Sequence, residues 1–126
     1  MSKFVLLSFM MSTFCLSSCN EKVDPIEAAK AEMMKIHDDS MAEIGKVRSY
    51  ALRLEALLPK SEDSTKINEI ISELEIADEE MMLWMYNYSE PKEGLMKYYE
   101  DQKKEITIVA DKIYSSLNKA KSFFNE

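Results

Sequence analysis

From Ile26 onward apolar residues return every three or four positions: Ile26, Ala29, Met33, then Met41, Ile44, Val47, Ala51, Leu54 and Leu58, with His37 inside the series. That period belongs to one face of a helix. Asp24-Pro25-Ile26-Glu27 reads as its start, with Asp24 as cap, Pro25 at the first helical position and Glu27 completing a capping box. Pro59 and the polar "KSEDS" end it, after a rod about 50 Å long at 1.5 Å per residue. A second stripe runs through Ile67, Ile70, Ile71, Leu74, Ala77, Met81, Trp84, Met85 and Tyr88 and predicts a helix from about Ser64 to Tyr88. "NYSEPKEG" breaks it. A third helix, from Pro91 or Leu95 to Phe124, carries Leu95, Tyr99, Gln102, Ile106, Val109, Ile113, Leu117, Ala120 and Phe124 on one side. Each stripe needs a partner and both loops are short, so neighbours pack antiparallel. The expected fold class is all-α, an antiparallel up-down-up three-helix bundle over residues 25–126. A long helical hairpin paired with a second copy is the alternative.

The start of the chain follows a different pattern. "MSK" is short and basic, "FVLLSFMMSTF" is an apolar run, and Leu16-Ser17-Ser18-Cys19 follows. The run is too short to span a bilayer as a mature helix. The four residues resemble the lipobox of bacterial lipoproteins, where small residues allow cleavage before a cysteine that carries diacylglycerol. Residues 1–18 are therefore expected to be a removed signal peptide, Cys19 the lipidated first residue, and 20–24 a polar tether. The expected location is the bacterial cell envelope, lipid-anchored, in the outer membrane.

Composition agrees with helix: 2 Gly and 3 Pro in 126 residues, with 31% charged. Loss of Cys15 and lipidation of Cys19 leave no thiol for a disulfide, a metal or a nucleophile. The formal net charge is −7, from 16 cationic and 23 acidic residues. The leader holds one of those cations and no acid, so the mature chain carries −8. No basic stripe offers itself to nucleic acid or to anionic lipid.

His37 is the only histidine, inside "MMKIHDDSM". A first turn centred near residue 62 brings it level with about residue 87, beside "MMLWMYNY". Met96, Tyr98, Tyr99 and Gln102 fall at the same end. The plainer reading is core: methionine fills irregular gaps and contacts aromatic rings, and His37 is held by a hydrogen bond to Gln102 or a carboxylate. On that reading no cofactor is needed. The alternative is a soft-metal site for Cu(I) or Ag(I) on Met33, Met34, His37, Met41, Met81 and Met85, since thioether and imidazole suit such ions. Catalysis is not expected. A di-iron bundle wants Glu-x-x-His on two helices, and Met34 stands three before His37. Ser40 lies near His37 but lacks an orienting third group. Off-stripe residues of the second helix, Ile76, Met82, Leu83 and Tyr86, form an apolar patch suited to a protein partner or to self-association.

The lipobox, "MMKIHDDSM", "ADEEMMLWMYNY" and "YYEDQKKEI" together resemble a set of small lipoproteins of Bacteroidota labelled "viral A-type inclusion protein", a label that describes coiled-coil character. The family pattern has His-Asp-Glu where this chain has His37-Asp38-Asp39. The resemblance implies a lipoprotein and a helical bundle, and names no substrate or partner.

Overall fold

A computed structural model describes residues 22–126. The leader, Cys19 and the start of the tether lie outside the described residues. The helices are α1 (Pro25–Glu55), α2 (Ser64–Asn87) and α3 (Leu95–Phe124), with a short 3₁₀ turn at Leu58–Lys60. Each helix packs on the other two, and no strand occurs among the described residues. The fold is the up-down-up three-helix bundle. No described helix is long and apolar enough to cross a membrane.

The helix ends follow from local chemistry. Asp24 Oδ1 accepts the Ile26 N–H at 2.8 Å, with Pro25 in the first turn. The other half of the expected capping box, from Glu27 back to Asp24, does not form among these hydrogen bonds. α1 stops at Glu55, three residues short of Leu58, because Pro59 lacks an N–H and disfavours helical geometry before it. The chain tightens there: Leu57 N–H donates to Leu54 O at 3.0 Å and Lys60 N–H to Leu57 O at 2.9 Å. α3 begins at Leu95 and not at Pro91. Gly94 precedes it at φ 70°, a left-handed turn that a side chain would strain.

The core lies on heptad tracks. Met33, Ser40, Val47 and Leu54 stand seven apart and are buried, as are Ile67, Leu74 and Met81, and Tyr99, Ile106, Ile113 and Ala120. A seven-residue repeat keeps one seam facing the neighbours. The stripe expected on α1 stepped by four from Met33 to His37 to Met41, and steps of four rotate off that seam. The structure therefore centres Ser40 and leaves His37 and Met41 half-buried on the flank. Ser40 is tolerated in the core because its hydroxyl donates to Ile36 O at 2.7 Å; Ser116 does the same to Ile113 O at 3.0 Å. Tyr50, absent from the expected stripe, is also buried.

Ion pairs mark the register. Arg48 grips Asp78 with two bonds of 2.7 and 2.8 Å across α1 and α2. Lys112 meets Glu80 and Lys119 meets Glu73, both at 2.5 Å, across α2 and α3. Lys103 pairs with Glu32 between α3 and α1. Exposed pairs contribute little energy each, but their spacing shows the antiparallel and parallel alignments directly.

The end of the bundle that holds the α1–α2 turn is closed by a carboxylate. Tyr50 Oη donates to Glu126 at 2.6 Å, and Arg53 donates to the same carboxylate at 2.7 Å. The guanidinium lies 4.0 Å from the Phe124 ring centre. Arg53 first, then Tyr50, holds the Glu126 carboxyl down to about 2.

Candidate functional site

The opposite end gathers the chemistry. His37 projects from the α2-facing flank of α1, its side chain 15% exposed. Nδ1 lies 2.9 Å from Asp38 Oδ1. A carboxylate can only accept, so in the neutral ring that nitrogen carries the proton and Nε2 presents its lone pair. The imidazole sits 5.3 Å from the Trp84 ring, tilted by 32°. Trp84 in turn lies 5.3 Å from Tyr88, Tyr88 6.1 Å from Tyr98, and Tyr98 5.5 Å from Tyr99. The aromatic series thus crosses from α1 through α2 and its loop to α3. Each such contact is worth about 0.5–1.5 kcal/mol beyond its buried area.

Two nitrogens in this layer are buried without partners, His37 Nε2 and Trp84 Nε1. One is an acceptor and the other a donor. An unpaired buried polar group costs about 1–3 kcal/mol. Gln102, one expected partner of His37, instead donates to Glu105 at 3.2 Å, so of the two candidates only the carboxylate is used. Ser40, three residues from His37, gives its hydroxyl hydrogen to Ile36 O and not to the imidazole.

Beyond the aromatic series, Tyr99 is 2% exposed and its hydroxyl donates to Glu90 in the loop. Lys30 reaches the same carboxylate at 2.5 Å and lies 5.8 Å from the Tyr99 ring centre. Burial first, then the Glu90 carboxylate, pushes the Tyr99 phenol up to about 12. Lys30 first, then Tyr99, holds the Glu90 carboxyl below its ordinary range. Ser89 N–H donates to Tyr98 Oη at 3.2 Å and ties down the loop.

The methionines divide. Met33 and Met81 are closed inside the core, whereas Met34, Met41, Met82 and Met85 are half-buried and packed against it. Among the described residues no three His, Cys, Asp or Glu side chains gather as a metal-ligand group.

The other candidate feature is the outer face of α2. Ile76, Leu83 and Tyr86 are 46%, 58% and 87% exposed. Met82 differs from them, because it is half-buried and packed against the core. In its place the structure adds Ile108 of α3, 57% exposed, which shares a groove with Ile76. Leu83 lines a second groove beside Gln102, Glu105 and Val109. The signal for Ile108 was present in "EITIVAD", where four apolar residues crowd little more than one turn and Ile106, Val109 and Ala110 take the inward positions, leaving Ile108 outside. No family model, no curated protein and no solved structure matches this chain.

Proposed function

We propose that this chain is a non-enzymatic helical lipoprotein of the bacterial envelope, held in the outer membrane by acyl chains on Cys19. It works by contact with a protein surface, a partner or a second copy, through the outer face of α2. The exposure of Leu83 and Tyr86, continued by Ile76 and Ile108, carries this reading. Large apolar side chains grouped on neighbouring outer positions tend to mark contact sites. The Glu73–Lys119 and Glu80–Lys112 pairs beside them supply the polar border that such interfaces have. Acyl chains at one end give durable attachment, at about 0.8 kcal/mol per buried CH₂. The acidic balance keeps the body of the bundle off anionic lipid and nucleic acid, which agrees with contact to a protein surface.

A two-armed experiment on the full chain in its own membrane tests this. Palmitate labelling should be lost in Cys19→Ala. A photo-cross-linking residue at position 86 should give one discrete protein adduct, which Leu83→Lys abolishes, while the same residue at position 46 gives none. Labelling that survives Cys19→Ala sinks the anchor; equal yields at 86 and 46 sink the contact face.

A further inference from the structure

The seam between α1 and α2 holds a feature that the outer face does not explain. His37 is oriented through Nδ1 by Asp38, and its Nε2 is buried with a free lone pair beside Trp84. A carboxylate on the remote nitrogen fixes the tautomer and raises the basicity of an imidazole that ligates a metal. A buried nitrogen left empty is a cost that an occupant removes.

Thioethers stand at the same level. The Arg48–Asp78 pair sets the alignment of the two helices. Seven residues back along α1 and seven forward along α2, two turns on the same flanks, bring Met41 opposite Met85. His37 is one turn from Met41, and Trp84 adjoins Met85. Met34, three residues before His37, lies on the same flank. These three methionines are half-buried, unlike Met33 and Met81, so solvent reaches the seam and gives an entry path.

We infer that His37 Nε2 and the thioethers of Met41 and Met85 form a site for a soft monovalent cation, Cu(I) or Ag(I). Met34 is a further donor, and the face of Trp84 covers the ion. Closed-shell soft ions accept a small set of nitrogen and sulfur donors, whereas hard divalent ions favour oxygen ligands. An ion against the indole face gains a cation–π attraction that grows with desolvation. Binding is reversible ligation of Cu(I), with no change of oxidation state. It uses a different seam from the outer face of α2 and does not rest on the interaction reading.

The test uses the full chain in detergent with Cys15→Ser and Cys19→Ser, so that no thiol competes, and Cu(I) buffered by bicinchoninate without oxygen. A single Cu(I) should bind well below micromolar and quench Trp84, the only tryptophan. Ag(I) should do the same and Zn(II) should not. Met41→Leu and Met85→Leu should each weaken binding by about tenfold or more, and His37→Gln by at least as much. Met96→Leu should leave it unchanged. Methionine-to-leucine swaps conserve volume, so far-UV circular dichroism should stay constant and separate a lost donor from a lost fold. Micromolar or weaker binding overturns the site. So does unchanged affinity in the Met41→Leu/Met85→Leu double variant, or binding that leaves Trp84 emission untouched.

Discussion

At one end of the bundle Tyr50 and Arg53 share the Glu126 carboxylate; at the other, Tyr99 and Lys30 share Glu90. In both places a core tyrosine turns its hydroxyl outward to an acid that a cation neutralises. The material behind the two closures differs. Behind Tyr50 lie Leu54, Ile67, Leu117 and the Phe123–Phe124 pair, branched or rigid groups, with no buried side-chain nitrogen or oxygen left unpaired there among the described residues. Behind Tyr99 lie Met33, Met81, Trp84 and His37, pliable thioethers and rings with two nitrogens unpaired. Matching closures at both ends show that sealing the bundle does not require the unusual layer. Methionine fills irregular space beside aromatic rings, and the soft-ion site inferred above is a use that this layer, and not the branched one, could serve.

The core makes the largest contrast. Leu54→Ala, at a fully buried position of the branched half, should cost about 2–5 kcal/mol in urea unfolding. Met81→Leu, equally buried in the sulfur-rich half, should cost less than about 1.5 kcal/mol, because methionine there fills space that leucine can repack. A Met81→Leu penalty equal to that of Leu54→Ala would mean that both halves are packed with the same stringency.

The two closures should also separate in pH. Tyr99 is neutral in the fold up to about 12, against 10.0 for a free phenol. A raised value gives stability that is complete below pH 10 and lost as pH rises toward 12, where the unfolded chain ionises first. Glu126 is the reverse case: its lowered value gives stability present above pH 4.5 and lost as pH falls toward about 2. Urea midpoints followed across pH should therefore lose their alkaline decline in Tyr99→Phe and part of their acid decline in Glu126→Gln. Tyr99→Phe at neutral pH should cost about 1–3 kcal/mol, since it strips a buried donor from Glu90. An alkaline decline unchanged in Tyr99→Phe would place its cause elsewhere.

How much of this was legible in the chain depends on what each feature is made of. Helix positions and the gathering of methionines at one end were readable, because both depend on local periodicity and short loops. The buried track through Ser40 was not, because counting apolar residues passes over a serine whose hydroxyl is satisfied by its own helix. Tyr99 lay on the expected stripe, but its bond to Glu90 depends on how the loop turns at Gly94, which no period encodes. His37 met Trp84 as the alignment required, whereas the choice of Asp38 over Gln102 rested on side-chain reach alone. Ile108 shows the remaining limit: a face left over after packing becomes visible only when the neighbours are in place.

The smallest effect belongs to the outer face of α2, and its smallness is the point. Leu83 and Tyr86 make little use of their apolar surface within the bundle, so Leu83→Lys and Tyr86→Lys should change unfolding free energy by no more than about 0.5 kcal/mol. Lysine is a good helix former, which keeps the backbone of α2 neutral to the change. Leu83→Lys should remove the cross-link formed from position 86, and Tyr86→Lys should remove one formed from position 83. Stability held constant while contact is lost assigns these side chains to binding. If instead urea midpoints fall as far as they do for Met81→Leu, Leu83 and Tyr86 support the sulfur-rich half from outside, and the difference between the two ends extends to the surface of α2.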